Sequence, residues 1–222
     1  MKLFFHYCPF GFSNCYVLGT DFPEDNDPEG TAPGKAAPRE AAPHEAIIVD
    51  PGGMDEAILG FIENNEYTLR GVLITHDHLN HVHGLRTLKR IYNTEIYAVN
   101  HIILDHKTNL VRDGVLINIG PFRVGVISVP GHSSDSAVFS VEHFLFTGDV
   151  LTAGLVGRTA STYGAAVQMT ALRSKILSLP GDYLVLPGHG PPSTLEAERR
   201  YNVGINTYKQ NQKQRPVFKV DI

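Results

Sequence analysis

Thr75-His76-Asp77-His78-Leu79-Asn80-His81-Val82-His83-Gly84 follows directly on the apolar run Gly71-Val72-Leu73-Ile74. Four of the chain's eleven histidines fall between positions 76 and 83. His76, His78 and His81 have the spacing of a metal-binding loop. The apolar run reads as a strand from Gly71 to Thr75, so the histidines sit at a strand end, where a rigid scaffold can aim imidazoles at a common point. Residues 76, 78 and 80 follow period two and project to one side if the backbone stays extended. His81 then points elsewhere, which suits a second metal rather than a fourth ligand to the first.

Three more pieces of the same kind follow. His132 lies in Pro130-Gly131-His132-Ser133-Ser134-Asp135-Ser136, Asp149 in Phe146-Thr147-Gly148-Asp149, and His189 in Leu186-Pro187-Gly188-His189-Gly190. Each ends an apolar strand and has glycine close by, which lets the backbone turn sharply. Asp135 and the serines after His132 are candidates to orient that ring or to serve as simple turn residues. His6, His44, His101, His106 and His143 lie outside any motif and read as surface or core residues.

Taken in order, these pieces resemble the metallo-β-lactamase superfamily. Its signature is His-x-His-x-Asp-His, then a histidine, an aspartate and a final histidine, each at a strand end. The likeness runs from Asn14 through Asp50-Pro51-Gly52 to His189. It implies an α+β fold: the αββα four-layer sandwich, two mixed β-sheets flanked by helices, with the site at one edge of the sheets. It further implies that His76, His78 and His132 hold a first metal, that His81 and His189 hold a second, and that Asp149 bridges them. Zinc is the implied metal, with iron or manganese as alternatives. A zinc ion with three protein ligands brings bound water to a pKa of about 7.

Asn80 departs from that pattern, which has aspartate here, bound to the second metal and touching the metal-held hydroxide. A neutral amide oxygen is a poorer ligand and removes a negative charge. The first site is therefore expected intact and the second weakened or empty, with Asp149 and Asn80 as the catalytic positions. His83 is a candidate extra ligand or proton shuttle, or a plain loop residue. Leu155-Val156-Gly157-Arg158-Thr159 is similar to a Gly-Arg-Thr-Asp segment of glyoxalase II-like and persulfide dioxygenase-like members, with Ala160 in place of the aspartate. Arg158 is accordingly a candidate for a structural or anion-contacting role, with a buried ion pair as the alternative.

Gly190-Pro191-Pro192-Ser193-Thr194, followed by Glu198-Arg199-Arg200-Tyr201-Asn202, resembles the end of short glyoxalase II-like hydrolases. The function implied is a hydrolase that cleaves a thioester or related ester through a metal-bound hydroxide. Two alternatives stay open: a mononuclear non-heme iron persulfide dioxygenase using His76, His132 and Asp149, and a non-catalytic metal-binding protein with a degenerate second site.

Composition narrows the partners. The 222 residues, 42% hydrophobic and 19% charged, are those of an ordinary globular chain. A formal charge of −4 leaves no electrostatic footprint for nucleic acid or an anionic membrane. No apolar run approaches the roughly 18 residues of a membrane span. The start, Met1 to Tyr7, reads as a strand rather than a signal peptide. The expectation is a cytoplasmic protein acting on a small molecule, with Cys8 and Cys15 as reduced thiols.

Along the chain, Phe4 to Tyr7, Tyr16 to Leu18 and Ile47 to Asp50 read as strands. Between the last two lies a Pro/Ala-rich insert at about 21–45, with prolines at 23, 28, 33, 38 and 43. Those prolines forbid helix and sheet interior alike, leaving a solvated excursion, or a polyproline segment for a partner, between two strands of a hairpin. Helices are expected from Met54 to Asn64, Leu85 to Tyr92 and Ala165 to Leu179. Further strands are expected near 95–99, 115–119, 123–129, 137–141, 144–147 and 183–186. No repeat or linker splits the chain, so 1–222 reads as one domain. Val217-Phe218-Lys219-Val220 is β-prone and pairs either with a second copy in a dimer or with its own sheet.

Overall fold

The computed structural model describes residues 1–20 and 44–207. Their strands form two six-stranded sheets and two short ribbons. Every strand of the first sheet comes from the first half of the chain: in spatial order Lys2–Cys8, Ser13–Gly19, Glu45–Val49, Thr68–Leu73, Glu95–Ala98 and Asn109–Leu110. The first three pair antiparallel and the rest join in parallel. Parallel neighbours need a crossover, and the helices Glu56–Asn64 and Leu85–Ile91 supply two of them.

The second sheet takes its strands from the second half: Ser193–Thr194, Leu184–Pro187, Phe144–Gly148, Ala137–Val141, Phe122–Ser128 and Leu116–Ile119, in that order. Only Leu184–Pro187 runs parallel to its neighbour Phe144–Gly148. Its crossover carries the helix Thr162–Ala171, which widens into a π-helical segment at Leu172–Ile176.

Period-two alternation explains the layering. Tyr16, Leu18, Ile47, Val49 and Leu73 face the second sheet and meet Phe122, Val124, Phe139, Phe146 and Leu186. The residues between them, Val17, Ala46, Ile48 and Val72, pack outward under Ile58, Ile62, Leu85 and Leu88 of the helices. On the far side Val138, Leu145 and Val185 pack under Met169, Leu172, Ile176 and Leu195. The result is the expected αββα sandwich, with both faces of each sheet covered.

The hairpin expected across the insert is present: Ser13–Gly19 pairs with Glu45–Val49 from Tyr16↔Val49 to Gly19↔Ala46. The polyproline reading of the insert and the strand at 217–220 lie outside the described residues. Cys8 and Cys15 are free and buried. Asp55 caps the first helix by accepting from the Ala57 and Ile58 amides. The helix Leu195–Tyr201 was not expected, and the helix placed at Ala165–Leu179 begins three residues earlier and is α-helical only to Ala171. No helix among the described residues is long and apolar enough to cross a membrane.

Candidate metal centre

The strand Thr68–Leu73 ends just before Thr75, and the chain after it does not stay extended. His78 is the N-cap of a one-turn helix, Leu79–Val82, whose second residue is Asn80. Period two therefore holds for His76 and His78 only, and the expectation that residue 80 continues the row is corrected. The turn of helix swings His81 inward, fully buried. Ser13 fastens this turn by donating from Oγ to the Asn80 carbonyl, 2.5 Å.

His132 and Asp149 arrive from the second sheet, His132 beyond Phe122–Ser128 and Asp149 just after Phe144–Gly148. His189 follows Leu184–Pro187, and Asn14 ties its loop to the first sheet. The Asn14 side chain donates to the carbonyls of Pro187 and Gly190, 2.9 and 2.7 Å, and its backbone N–H to Gly188, 2.8 Å. Gly188 is obligatory there, since a Cβ would lie 2.4 Å from both Asp149 Oδ1 and His81 Cε1.

Two groups of side chains result: His76, His78, His132 and Asp149, and His81, Asp149 and His189, each with its donor atoms within 4.8 Å of one another. In the first, His78 Nδ1 lies 2.9 Å from His76 Nε2 and 3.1 Å from His132 Nε2. A tetrahedral shell of imidazole nitrogens around zinc has edges of roughly 3.3 Å. Asp149 Oδ2 stands 3.9 Å from His76 Nε2 and 3.5 Å from both His132 Nε2 and His189 Nε2. Its other oxygen, Oδ1, lies 3.4 Å from His81 Nε2.

The remaining ring nitrogens set the tautomers. His132 Nδ1 faces the Arg158 carbonyl at 2.8 Å and His189 Nδ1 the Phe12 carbonyl at 2.6 Å. A carbonyl can only accept, so both Nδ1 atoms carry the proton. His81 Nδ1 donates to Asp50 Oδ2, 3.0 Å. Thr75 Oγ1 gives its own proton to the same oxygen, 2.6 Å, so its lone pair accepts from His76 Nδ1 at 3.1 Å. All four rings thus turn Nε2 toward the centre, the arrangement typical of metal-ligating histidines. Burial opposes a charge on His81, but the Asp149 and Asp50 carboxylates raise it to about 9, so an ion bound there takes the place of the His81 Nε2 proton.

The site also fits a cation in what it leaves unmatched. Buried His81 Nε2 and Asp149 Oδ1 face each other at 3.4 Å and neither makes a hydrogen bond, a loose pairing that an ion held between them would tighten. Burial, with His81 nearby, pushes His76 down to about 3, so its ring is neutral at pH 7. Burial and the neighbouring His132 and His81 lower His78 as well. Burial opposes the charge on Asp149, but the His81, His189 and His76 rings hold its carboxyl down to about 2.

The chain matches the metallo-beta-lactamase superfamily over residues 41–189. It belongs to that superfamily. Among its relatives, the hydroxyacylglutathione hydrolase GloC of Haemophilus influenzae is 30% identical over 189 residues, covering 73% of this chain and 88% of the relative. Among solved structures, the BLEG-1 B3 metallo-β-lactamase superposes with a TM-score of 0.73 at 24% identity, over 92% of this chain and 99% of that one. ETHE1 from Myxococcus xanthus gives 0.72 at 22%, over 98% and 93%. Superfamily membership and the His/Asp cluster together imply a bound metal.

Within this superfamily member, the other residues singled out in the sequence fall as follows. Asn80 Nδ2 lies 2.9 Å from His189 Nε2; with Nδ1 protonated, Nε2 must accept and the amide donate. His83 does not join the cluster: it is exposed and stacks on Phe10, ring centroids 3.8 Å apart. Asp135 does not orient His132. Its Oδ2 accepts from the Asp77 backbone N–H, 2.9 Å, and from Asn100 Nδ2, 3.0 Å, bracing the His76–His78 loop instead. Ser133 and Ser136 bond each other in the turn. The Arg158 side chain is exposed, so the buried ion pair is ruled out; its contribution to the cluster is its carbonyl. None of the five histidines outside the motifs enters either group.

Asp50 is the functional position that motif reading left without a role. It is buried, takes left-handed backbone (φ 49°), which aspartate tolerates, and joins His81 to Thr75 through one carboxylate. The signal was a carboxylate at the end of an apolar strand, beside the strand that delivers the histidines.

Proposed function

We propose that this protein is a metal-dependent hydrolase that cleaves a thioester or related ester. The observation that carries the reading is the convergence on Asp149, from both sheets, of four imidazoles each anchored through Nδ1. His76, His78, His132 and Asp149 would hold the principal ion, with zinc the best match to neutral imidazole and carboxylate donors. A zinc ion in such a site supplies a Lewis acid that acidifies water near neutral pH and polarises a carbonyl.

The protein's own residues do the positioning. Asp50 and Thr75 hold the His76 and His81 rings, while the Arg158 and Phe12 carbonyls hold those of His132 and His189. Asp149, ionised throughout the physiological range, brings the negative charge. A substrate reaches this face through a cavity of about 360 Å³ whose lining includes His132, Asp149 and His189. GloC, named as a hydroxyacylglutathione hydrolase, supports a thioester as the bond cleaved. Asn80, which supplies no charge and occupies the His189 lone pair, leaves the second group the weaker metal site.

The test is hydrolysis of a panel of acyl thioesters, acylglutathiones included, by protein of measured metal content, beside oxygen uptake with a persulfide. Cleavage that His132→Ala abolishes together with metal binding supports the reading. Oxygen uptake without thioester cleavage would overturn it.

A further inference from the structure

The cavity lining outside the cluster is largely apolar, and hydrogen bonds tie it down. It is the ribbon that follows Asp149, in which Leu151 pairs with Val156 and Thr152 with Leu155. The Gly157 N–H donates to the Val150 carbonyl, 3.1 Å, and closes the ribbon at its base. At its tip the Gly154 N–H donates to both oxygens of buried Glu198, 3.1 and 3.2 Å, and the Gly154 carbonyl accepts from the Val203 N–H, 2.9 Å. Gly204 backs Val156, since a Cβ there would come within 2.9 Å of its Cγ2. Leu155 is nevertheless 57% exposed and, on a ribbon pinned at both ends, cannot fold away from water.

A leucine held in the open within a concave pocket, next to Val156 and beside His132, Asp149 and His189, is apolar surface waiting for a ligand to cover it. Resting on the hydrolase reading above, we infer that the substrate's acyl group is a hydrocarbon chain of medium length, seated on Leu155 and Val156, rather than a small hydroxyacyl group. The scissile carbonyl lies toward the histidines and the chain runs along the ribbon. Arg158 stands at the same cavity with its side chain exposed, at the pocket's watery margin.

The experiment uses two matched series on N-acetylcysteamine, from two to eight carbons: S-acyl thioesters, which can be cleaved, and S-alkyl thioethers, which cannot. Burial of each methylene is worth about fourfold in affinity. The expectation is that thioether Kd, by calorimetry on the metal-loaded protein, tightens about fourfold per methylene before levelling off. Thioester kcat/KM follows the same slope. Leu155→Ser flattens both slopes, and Leu155→Met restores them. Thioethers that bind with a slope while no thioester is cleaved uphold the apolar seat and sink the hydrolase reading. A flat thioether series, or a slope that Leu155→Ser leaves unchanged, overturns the inference, whether or not thioesters are cleaved.

Discussion

The Asn80 amide donates to His189 Nε2 across 2.9 Å, so the lone pair that would face the second metal is already engaged. Binding there must break this bond without gaining the charge that a carboxylate would bring. Asn80→Asp removes the donor and adds that charge. Protein purified without added metal is expected to carry one equivalent of zinc per chain, and Asn80→Asp two, by elemental analysis after exhaustive dialysis. Two equivalents in the unaltered protein would contradict this.

Gln168 reaches from the covering helix into the back of the centre. Its Nε2 donates to the Gly157 carbonyl, 2.9 Å, next to the Arg158 carbonyl that holds His132. Its Cβ occupies the space beside Gly131, where an added Cβ would come within 2.4 Å. Gln168→Leu keeps the bulk and deletes the amide. Losing this part-buried hydrogen bond is expected to cost about 1 kcal/mol in urea denaturation. Affinity for the first metal should fall about tenfold in chelator competition, the lower end for groups that orient ligands. Unchanged affinity would show that the Arg158 carbonyl holds its position unaided.

Asp55 links stability to acidity. Burial opposes its charge, but the Ile58 amide, His6 and the Ala57 amide hold its carboxyl below the ordinary 3.8. A lowered folded value stabilises above the unfolded one and is lost as pH falls through the folded one. Asp55→Ala should therefore cost about 1 kcal/mol at pH 7, the usual worth of an N-cap. The difference between variant and parent should shrink below pH 3.8. Thermal melts at pH 7 and pH 3 measure both, and a pH-independent difference would refute the assignment.

Most of the architecture was legible because each layer repeats one simple period. Alternating runs such as Tyr16 to Leu18 and Phe144 to Phe146 declare two buried faces, and those strands form where expected. The helix Leu195–Tyr201 escaped notice because its seven residues are dominated by Glu196, Glu198, Arg199 and Arg200, with only Leu195 to mark a buried face. Glu198 is itself buried, satisfied by Ser193, Asn202 and the ribbon glycine, and no pattern of apolar residues signals a buried carboxylate. The π-helical segment at Leu172–Ile176 is equally silent, since the same leucines and isoleucines suit an α-helix. At the centre, the grouping of five histidines with Asp149 follows the motif order. The roles of Asp50, Asp135 and Gln168 depend on contacts between segments far apart in sequence.

Metal should also act on the fold. An ion that binds only the folded chain stabilises it by about 2.7 kcal/mol at a hundred times its Kd. Zinc at that excess is expected to raise the melting temperature and a chelator to lower it again, with the shift much reduced in His132→Ala. An equal shift in that variant would place the stabilising ion elsewhere.

That shift would report on more than local order. The two sheets are built from consecutive halves of the chain, and each half brings three of the six clustered side chains: His76, His78 and His81 from one, His132, Asp149 and His189 from the other. An ion shared among them would act as a rivet across the seam between the halves. Its loss would be felt first as parting of the two halves at that edge, so hydrogen exchange there should track metal occupancy before the core of either sheet responds.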